Sequence, residues 1–286
     1  MKAIVFGSTG ALGRELVVQL LECKDFTQVI AVTRREIPES ERTRTFPGIT
    51  LKGTGQKLKV VQVNFEGGKE VVPLWLTLRD FLDSHTVAFC ALGTTVREAR
   101  TADARRRVDV EYVDNVAMVC KQYYVEHFSL VTAKGAKTDS WFDYLAAKGD
   151  IEDRVTQLGF VRTTIWRPGA LERHALMRWY ESLLALTVRL MPVATLAEAL
   201  VNNALTPIQR KEKPTLEGPF EEEDIWLIAH PGSSEAEAVE ASEQVEPVPF
   251  YSFQNLYSTF FGVPEKEMSS LKTDKTSQDK ADVALL

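Results

Sequence analysis

Lys2-Ala3-Ile4-Val5-Phe6-Gly7-Ser8-Thr9-Gly10-Ala11-Leu12-Gly13 is a short apolar run that passes into three glycines spaced three apart. A run of that length closed by glycine predicts a buried strand, and the apolar residues of segment 11–23 recur at helical spacing. The opening therefore reads as strand, tight turn, helix. Gly7 permits the turn, Gly10 lets a diphosphate approach the backbone with no Cβ between them, and Gly13 allows the helix to pack on the strand. The first-turn N–H groups of a helix have no partners inside it and attract an anion. Together these features predict a dinucleotide held by Gly7, Thr9, Gly10, Ala11, Leu12 and Gly13.

The same alternation continues downstream. Apolar runs at 29–32, 60–63, 86–91, 127–132 and 162–167 predict five further strands, and helical patterns fall around 108–125, 141–158 and 195–205. Strands alternating with helices predict an α/β fold, a doubly wound parallel sheet of Rossmann type with both faces covered. Segment 38–59 turns to Glu, Arg, Thr, Gly and Pro and predicts a surface loop. Past Arg167 the pattern loosens, as expected of a small irregular region on the substrate side. The predicted organisation is a dinucleotide-binding domain over 1–207, an acidic and aromatic, partly packed extension over 208–264, and a tail without fixed structure over 265–286.

The charge is unevenly placed. Of a net −6, residues 214–265 hold eleven acidic and no basic residues, which leaves the rest of the chain at +5. A mildly positive body suits a polyanionic cofactor, whereas nucleic acid would call for clustered basic residues in a binding motif, and none is visible. Segment 250–261 carries six aromatics and is expected to dock on the parent domain or on a protein partner. Cys23, Cys90 and Cys120 match no metal-ligand or redox spacing and read as core residues. His85, His127, His174 and His230 are scattered, so no metal site is expected. The longest apolar stretch, 183–201, is interrupted by Arg189, Pro192 and Glu198 and predicts no transmembrane segment. The apolar strand begins at once, with no leader-like segment, and cytoplasmic residence is expected.

Two clusters carry chemistry. At the end of the second strand an NAD-preferring site places an acidic residue for the ribose hydroxyls. Here Thr33 is followed by Arg34 and Arg35, whose fixed charge and planar donor forks suit a 2′-phosphate, so NADP(H) is favoured. Asn64 after the third strand and Leu92-Gly93 after the fourth are expected to line the adenine and ribose. The second cluster is Tyr144 and Lys148, four apart and so on one helix face. Free Tyr and Lys titrate near ~10 and ~10.4, and a neighbouring ammonium favours the phenolate, moving Tyr144 toward the work of a general acid or base. Thr132, at the end of the fifth strand, is the hydroxyl expected to hold a substrate oxygen. Arg173 and Arg178 are candidates to close over cofactor phosphate or an acidic substrate, with a solvated face the equal alternative.

These segments, with Phe89-Cys90-Ala91-Leu92-Gly93-Thr94-Thr95, Val108-Asp109, Ala133-Lys134-Gly135-Ala136 and Trp166-Arg167-Pro168-Gly169, resemble the short-chain dehydrogenase/reductase superfamily. Within it they look like the atypical branch of Tat-interacting oxidoreductase-like proteins, over about residues 1–205. The resemblance implies an NADPH-binding protein with cofactor contacts at Thr9, Gly10, Ala11, Leu12, Arg34, Arg35, Leu92, Tyr144 and Lys148. It implies no physiological substrate. Thr132-Ala133 stands where relatives carry Ser-Ser, and Asn64 where they carry an acidic residue. Two functions are compatible with the pattern: an NADPH-dependent oxidoreductase that reduces a small-molecule carbonyl substrate, and an NADPH-binding regulatory module that meets a protein partner through the C-terminal extension.

Overall fold

The computed structural model describes residues 1–49, 53–66, 76–94, 99, 101–172, 190–208 and 213–234. Its centre is a seven-stranded sheet in the order β3-β2-β1-β4-β5-β6-β9. The strands are β1 (Lys2–Phe6), β2 (Gln28–Thr33), β3 (Leu58–Gln62), β4 (Thr86–Cys90), β5 (His127–Val131), β6 (Arg162–Trp166) and β9 (Thr215–Phe220), with a small separate pair β7 (Leu171–Glu172) and β8 (Met191–Pro192). Every neighbouring pair in the large sheet is parallel, with Phe6 level with Val32 on one side and Cys90 on the other. Parallel strands buried on both faces need apolar residues at successive positions, and β1, β2 and β4 meet that need at 3–6, 29–32 and 87–90.

The helices are α1 (Ala11–Glu22), α2 (Glu39–Thr45), α3 (Ala102–Arg106), a widened π-helical stretch (Arg107–Tyr112), α4 (Val113–Gln122), α5 (Asp143–Gln157), α6 (Val193–Leu205) and α7 (Glu222–Ala229). One face of the sheet is covered by α1 and α6, with Leu16, Val17, Leu20, Leu196 and Leu200 meeting Val5, Val29 and Phe89. The other is covered by α4 and α5, with Val113, Val116, Ile151 and Val155 meeting Phe6, Ile30 and Phe128. Each fully buried side chain of this kind contributes about 1.5–3 kcal/mol relative to exposure. The strand order reverses between β1 and β4, which puts the ligand crevice beyond their C-terminal ends.

The chain past residue 207 returns to the sheet. It supplies β9, the seventh strand, and α7, which packs on α6. A polar network ties this edge to the sheet at its N-terminal end. Arg162 donates to Glu217 (2.7 Å), Asn203 donates to the same carboxylate (3.1 Å), and His127 Nε2 lies 2.9 Å from Thr164 Oγ1. Burial, with Arg162 nearby, holds the His127 pKa well below its usual 6.5. The unfolded chain therefore binds a proton that the native state refuses, and stability falls as the pH drops below 6.5 toward the depressed folded value. We expect the melting temperature to fall on acidification through this window, and His127→Gln to flatten that fall. An identical pH profile in the variant would remove His127 as the cause.

Within the region expected to be a loop, 39–45 is helical but buries no side chain, so it has no apolar periodicity to read. The aromatic segment 250–261, the tail over 265–286, and Arg173 and Arg178 lie outside the described residues. Cys90 and Cys120 are buried, and burial pushes the Cys90 thiol up to about 11, which suits inert core residues. No group of residues suited to a metal ion occurs among the described residues, and no helix among them is long and apolar enough to cross a membrane.

Candidate active site

The glycine turn follows β1 directly. Gly7 has φ +81°, and a Cβ there would stand 2.5 Å from the Ala91 carbonyl oxygen; a Cβ at Gly13 would stand 2.1 Å from the Gly7 carbonyl oxygen. Both positions exclude a side chain on contact alone. At Gly10 the space is open apart from the Gly7 oxygen at 3.3 Å, as required of a surface meant to meet a ligand. The first ladder bond of α1 runs from Arg14 N–H to the Gly10 carbonyl, so the amides of Ala11, Leu12 and Gly13 stand outside the ladder. No acidic residue occupies that turn. Positive helix-end potential and free donors thus meet at the switch point of the sheet.

Arg34 and Arg35 are exposed just past β2. The backbone there is fixed by Thr33, whose hydroxyl donates to the Arg35 carbonyl (2.8 Å), and by Ser8, whose hydroxyl donates to Val32 (2.7 Å). Asn64 is exposed, and its side-chain oxygen accepts the Glu66 amide (2.9 Å) in a local turn. Glu66 is held by Tyr112, whose hydroxyl donates to it at 2.5 Å while its ring stacks on Phe65 at 5.5 Å. Burial and the Glu66 carboxylate push the Tyr112 pKa up to about 12, so this phenol stays a donor. These groups form one wall of the expected adenine end.

Tyr144 lies in the first turn of α5, half-buried, with Lys148 Nζ 5.8 Å from its ring centroid. Lys148 is anchored by a residue to which the sequence reading gave no role. Asp109 Oδ1 accepts from Lys148 Nζ (3.1 Å) and from the Thr94 amide (3.2 Å), and the two side chains are 0% and 5% exposed respectively. Burial pulls the Lys148 pKa down, but Asp109 and then Tyr144 outweigh it and hold the ammonium above its usual value. Gly93 rests on this pair, its would-be Cβ 3.4 Å from Asp109 Oδ1 and 3.6 Å from Lys148 Nζ. Asp109 sits in the π-helical stretch, a distortion frequent at functional sites, and its Oδ2 is buried without a partner among the described residues.

Thr132 is turned away from the role expected of it. Its hydroxyl donates to Glu152 (2.6 Å) and lies 3.1 Å from the Trp166 carbonyl. A threonine has one proton to give, and a carboxylate only 5% exposed takes it. Glu152 also receives both arms of Arg167, at 3.0 and 2.5 Å. Tyr144, Lys148 and Glu152 thus form a ladder at four-residue spacing on one face of α5, with the lower rung clamped to β5 and β6. Glu152 was open to detection as a carboxylate one turn beyond Lys148 on the same face; its partner Arg167 depends on tertiary structure.

No protein-family model matches the chain. It is 31% identical over 214 residues to Protein HTATIP2 of Rattus norvegicus, covering 71% of this chain and 81% of that one. It is 30% identical over 226 residues to Protein FMP52, mitochondrial, of Meyerozyma guilliermondii, covering 74% and 89%. Among solved structures, the UDP-glucuronic acid 4-epimerase of Bacillus cereus in complex with NAD superposes with a TM-score of 0.54 at 13% identity, over 76% of this chain and 77% of that one. The fold is that of Rossmann-like proteins of the short-chain dehydrogenase/reductase type. Within that class the chain belongs to the Tat-interacting oxidoreductase-like family of HTATIP2 and FMP52.

Proposed function

We propose that this protein is an NADPH-dependent reductase of a small carbonyl compound, with Tyr144 as the proton donor. The observation that carries the proposal is the Tyr144–Lys148–Asp109 arrangement on helices that begin at the same sheet edge as the free amides of α1. The residues fit a dinucleotide: open space at Gly10, unpaired first-turn donors, and two exposed guanidinium groups past β2 for a 2′-phosphate. Bound NADPH supplies a hydride to the carbonyl carbon. Tyr144 holds the substrate oxygen and gives it the proton at Oη, and solvent restores that proton afterwards. Lys148 supplies the positive charge that favours the phenolate left behind, and Asp109 fixes where that charge stands. Thr132 enters as a positioning residue, steadying α5 through Glu152, rather than as a substrate ligand.

NADPH titration and NADPH oxidation across aldehydes, ketones and quinones test this reading. We expect binding, turnover with at least one class, and weaker binding of NADH. Arg34→Ala should raise the NADPH dissociation constant by roughly 10- to 100-fold, the worth of a charge-assisted contact, and leave that of NADH nearly unchanged. Equal loss for both dinucleotides would refute a 2′-phosphate contact. Absence of protection by either dinucleotide against heat would sink the whole proposal. Cytoplasmic residence belongs to the same reading; since FMP52 bears a mitochondrial designation, recovery in the mitochondrial fraction on cell fractionation would overturn it.

A further inference from the structure

Arg14 lies in the first turn of α1, directly after Gly13, and its side chain runs backward along the helix. Its Nε donates to the Thr9 carbonyl at 2.8 Å, five residues earlier in the chain. Side chains on a helix lean toward its N-terminus, which makes this reach possible. The bond holds a permanent positive charge at the helix end where the peptide dipoles already place positive potential, and a cation there is disfavoured. No acidic residue in that turn offsets it. The adjoining carboxylate, Glu15, accepts from Gln19 (2.9 Å) instead, and Arg14 forms no ion pair among the described residues.

The ties of the turn show which part of a dinucleotide this guanidinium meets. Gly7 abuts the end of β4, since a Cβ there would stand 2.5 Å from the Ala91 carbonyl oxygen. Ser8 is laced to the other side, its hydroxyl donating to the Val32 carbonyl near the end of β2 (2.7 Å). The turn therefore swings from β4 toward β2 before it reaches Thr9, and Arg14 is tethered to that arm. Arg34 and Arg35, both exposed, follow Val32 by two and three residues. With Nε committed to Thr9, the two terminal nitrogens of Arg14 meet no carboxylate or carbonyl among the described residues.

We infer that Arg14 is a further specificity residue of the dinucleotide site: a third guanidinium, beside Arg34 and Arg35, that receives the 2′-phosphate and so favours NADPH over NADH. A phosphate monoester offers three strong acceptor oxygens, and planar guanidinium forks match them. The bond to Thr9 fixes Arg14 before the ligand arrives, so less side-chain freedom is lost on binding than at an untethered arginine. The anion in turn offsets the charge that the helix end disfavours. The inference rests on the dinucleotide reading of the glycine turn and on no assumption about the carbonyl substrate.

The test is titration of the full-length protein and of Arg14→Gln with NADPH, NADH, adenosine 2′,5′-bisphosphate and 5′-AMP. Glutamine keeps a donor for the Thr9 carbonyl and removes the charge. The variant should raise the dissociation constants of NADPH and the bisphosphate by roughly 10- to 100-fold, leave those of NADH and 5′-AMP nearly unchanged, and melt with the wild type when no ligand is present. Equal loss for NADPH and NADH overturns the inference and moves Arg14 to the diphosphate. Unchanged affinity for all four ligands overturns it as well, and so does a variant that melts lower and loses all four alike, which would make the bond to Thr9 a brace of the turn. Selective loss of the 2′-phosphate ligands in a protein that reduces no carbonyl would retire the reductase reading and leave the role of Arg14 standing. A wild type that binds none of the four would end both.

Discussion

Tyr144→Phe is expected to lower carbonyl-dependent NADPH oxidation by about two to four orders of magnitude while NADPH still binds. The variant removes one oxygen and keeps a half-buried ring beside Lys148 Nζ, 5.8 Å from its centroid. What disappears is the only proton assigned to the substrate oxygen. The split between turnover and affinity makes the result diagnostic: loss of both would indicate that the phenol holds the cofactor, and retention of both would show that the chemistry lies elsewhere. Lys148→Met should behave differently, because it strips the charge from beside the phenol and also leaves Asp109 buried without its counter-ion.

Asp109→Ala should be the most destabilising single change in the site. It leaves the Lys148 ammonium in a position where its side chain is 5% exposed with no carboxylate to meet it. Breaking a buried pair from one side costs about 3–5 kcal/mol, which for a domain of this size is roughly 10 °C in melting temperature. Replacing both partners by apolar residues of similar volume, Asp109→Leu with Lys148→Met, should recover most of that loss while abolishing turnover. The direction of the Lys148 shift sets the pH window. Its folded pKa lies above 10.5, so its contribution is fully present below that value and is lost only as the pH climbs through the raised one. A variant melting within a degree or two of wild type at neutral pH would show that solvent, and not Asp109, satisfies the ammonium.

The parts of this molecule that can be read from the chain are those whose causes are local. Gly7 and Gly13 are excluded from bearing side chains by atoms a few residues away or on the adjoining strand end, and their spacing shows it. β1, β2 and β4 announce themselves because burial on both faces demands unbroken apolar runs. β9 escapes notice because it is an edge strand with alternating exposure and a Gly218-Pro219 step, tolerable only where one side of the strand needs no partner. In the site, Tyr144 and Lys148 share a helix, so their meeting follows from spacing alone. Asp109 reaches Lys148 across 39 residues, and Arg167 reaches Glu152 from the end of another strand. Thr132 carries a hydroxyl at the end of β5, twelve residues before Tyr144, and that place in the sequence points it to the crevice. Strand alternation decided otherwise, since the face of β5 that carries Leu130 turns the next-but-one residue toward Glu152.

The late segment has a consequence for biosynthesis. Arg167 N–H bonds to the Phe220 carbonyl, Lys134 pairs with Glu222 at 3.0 Å, and the Trp166 and Phe220 rings pack 5.1 Å apart. The clamp on α5 is therefore braced by residues that leave the ribosome some seventy-odd positions after Tyr144. During translation the half that carries the glycine turn can collapse first, N-terminal segments leading. The half that carries Tyr144 stays unbraced until the last described helix has emerged, so a prematurely terminated polypeptide would form the glycine turn without holding Tyr144 in register.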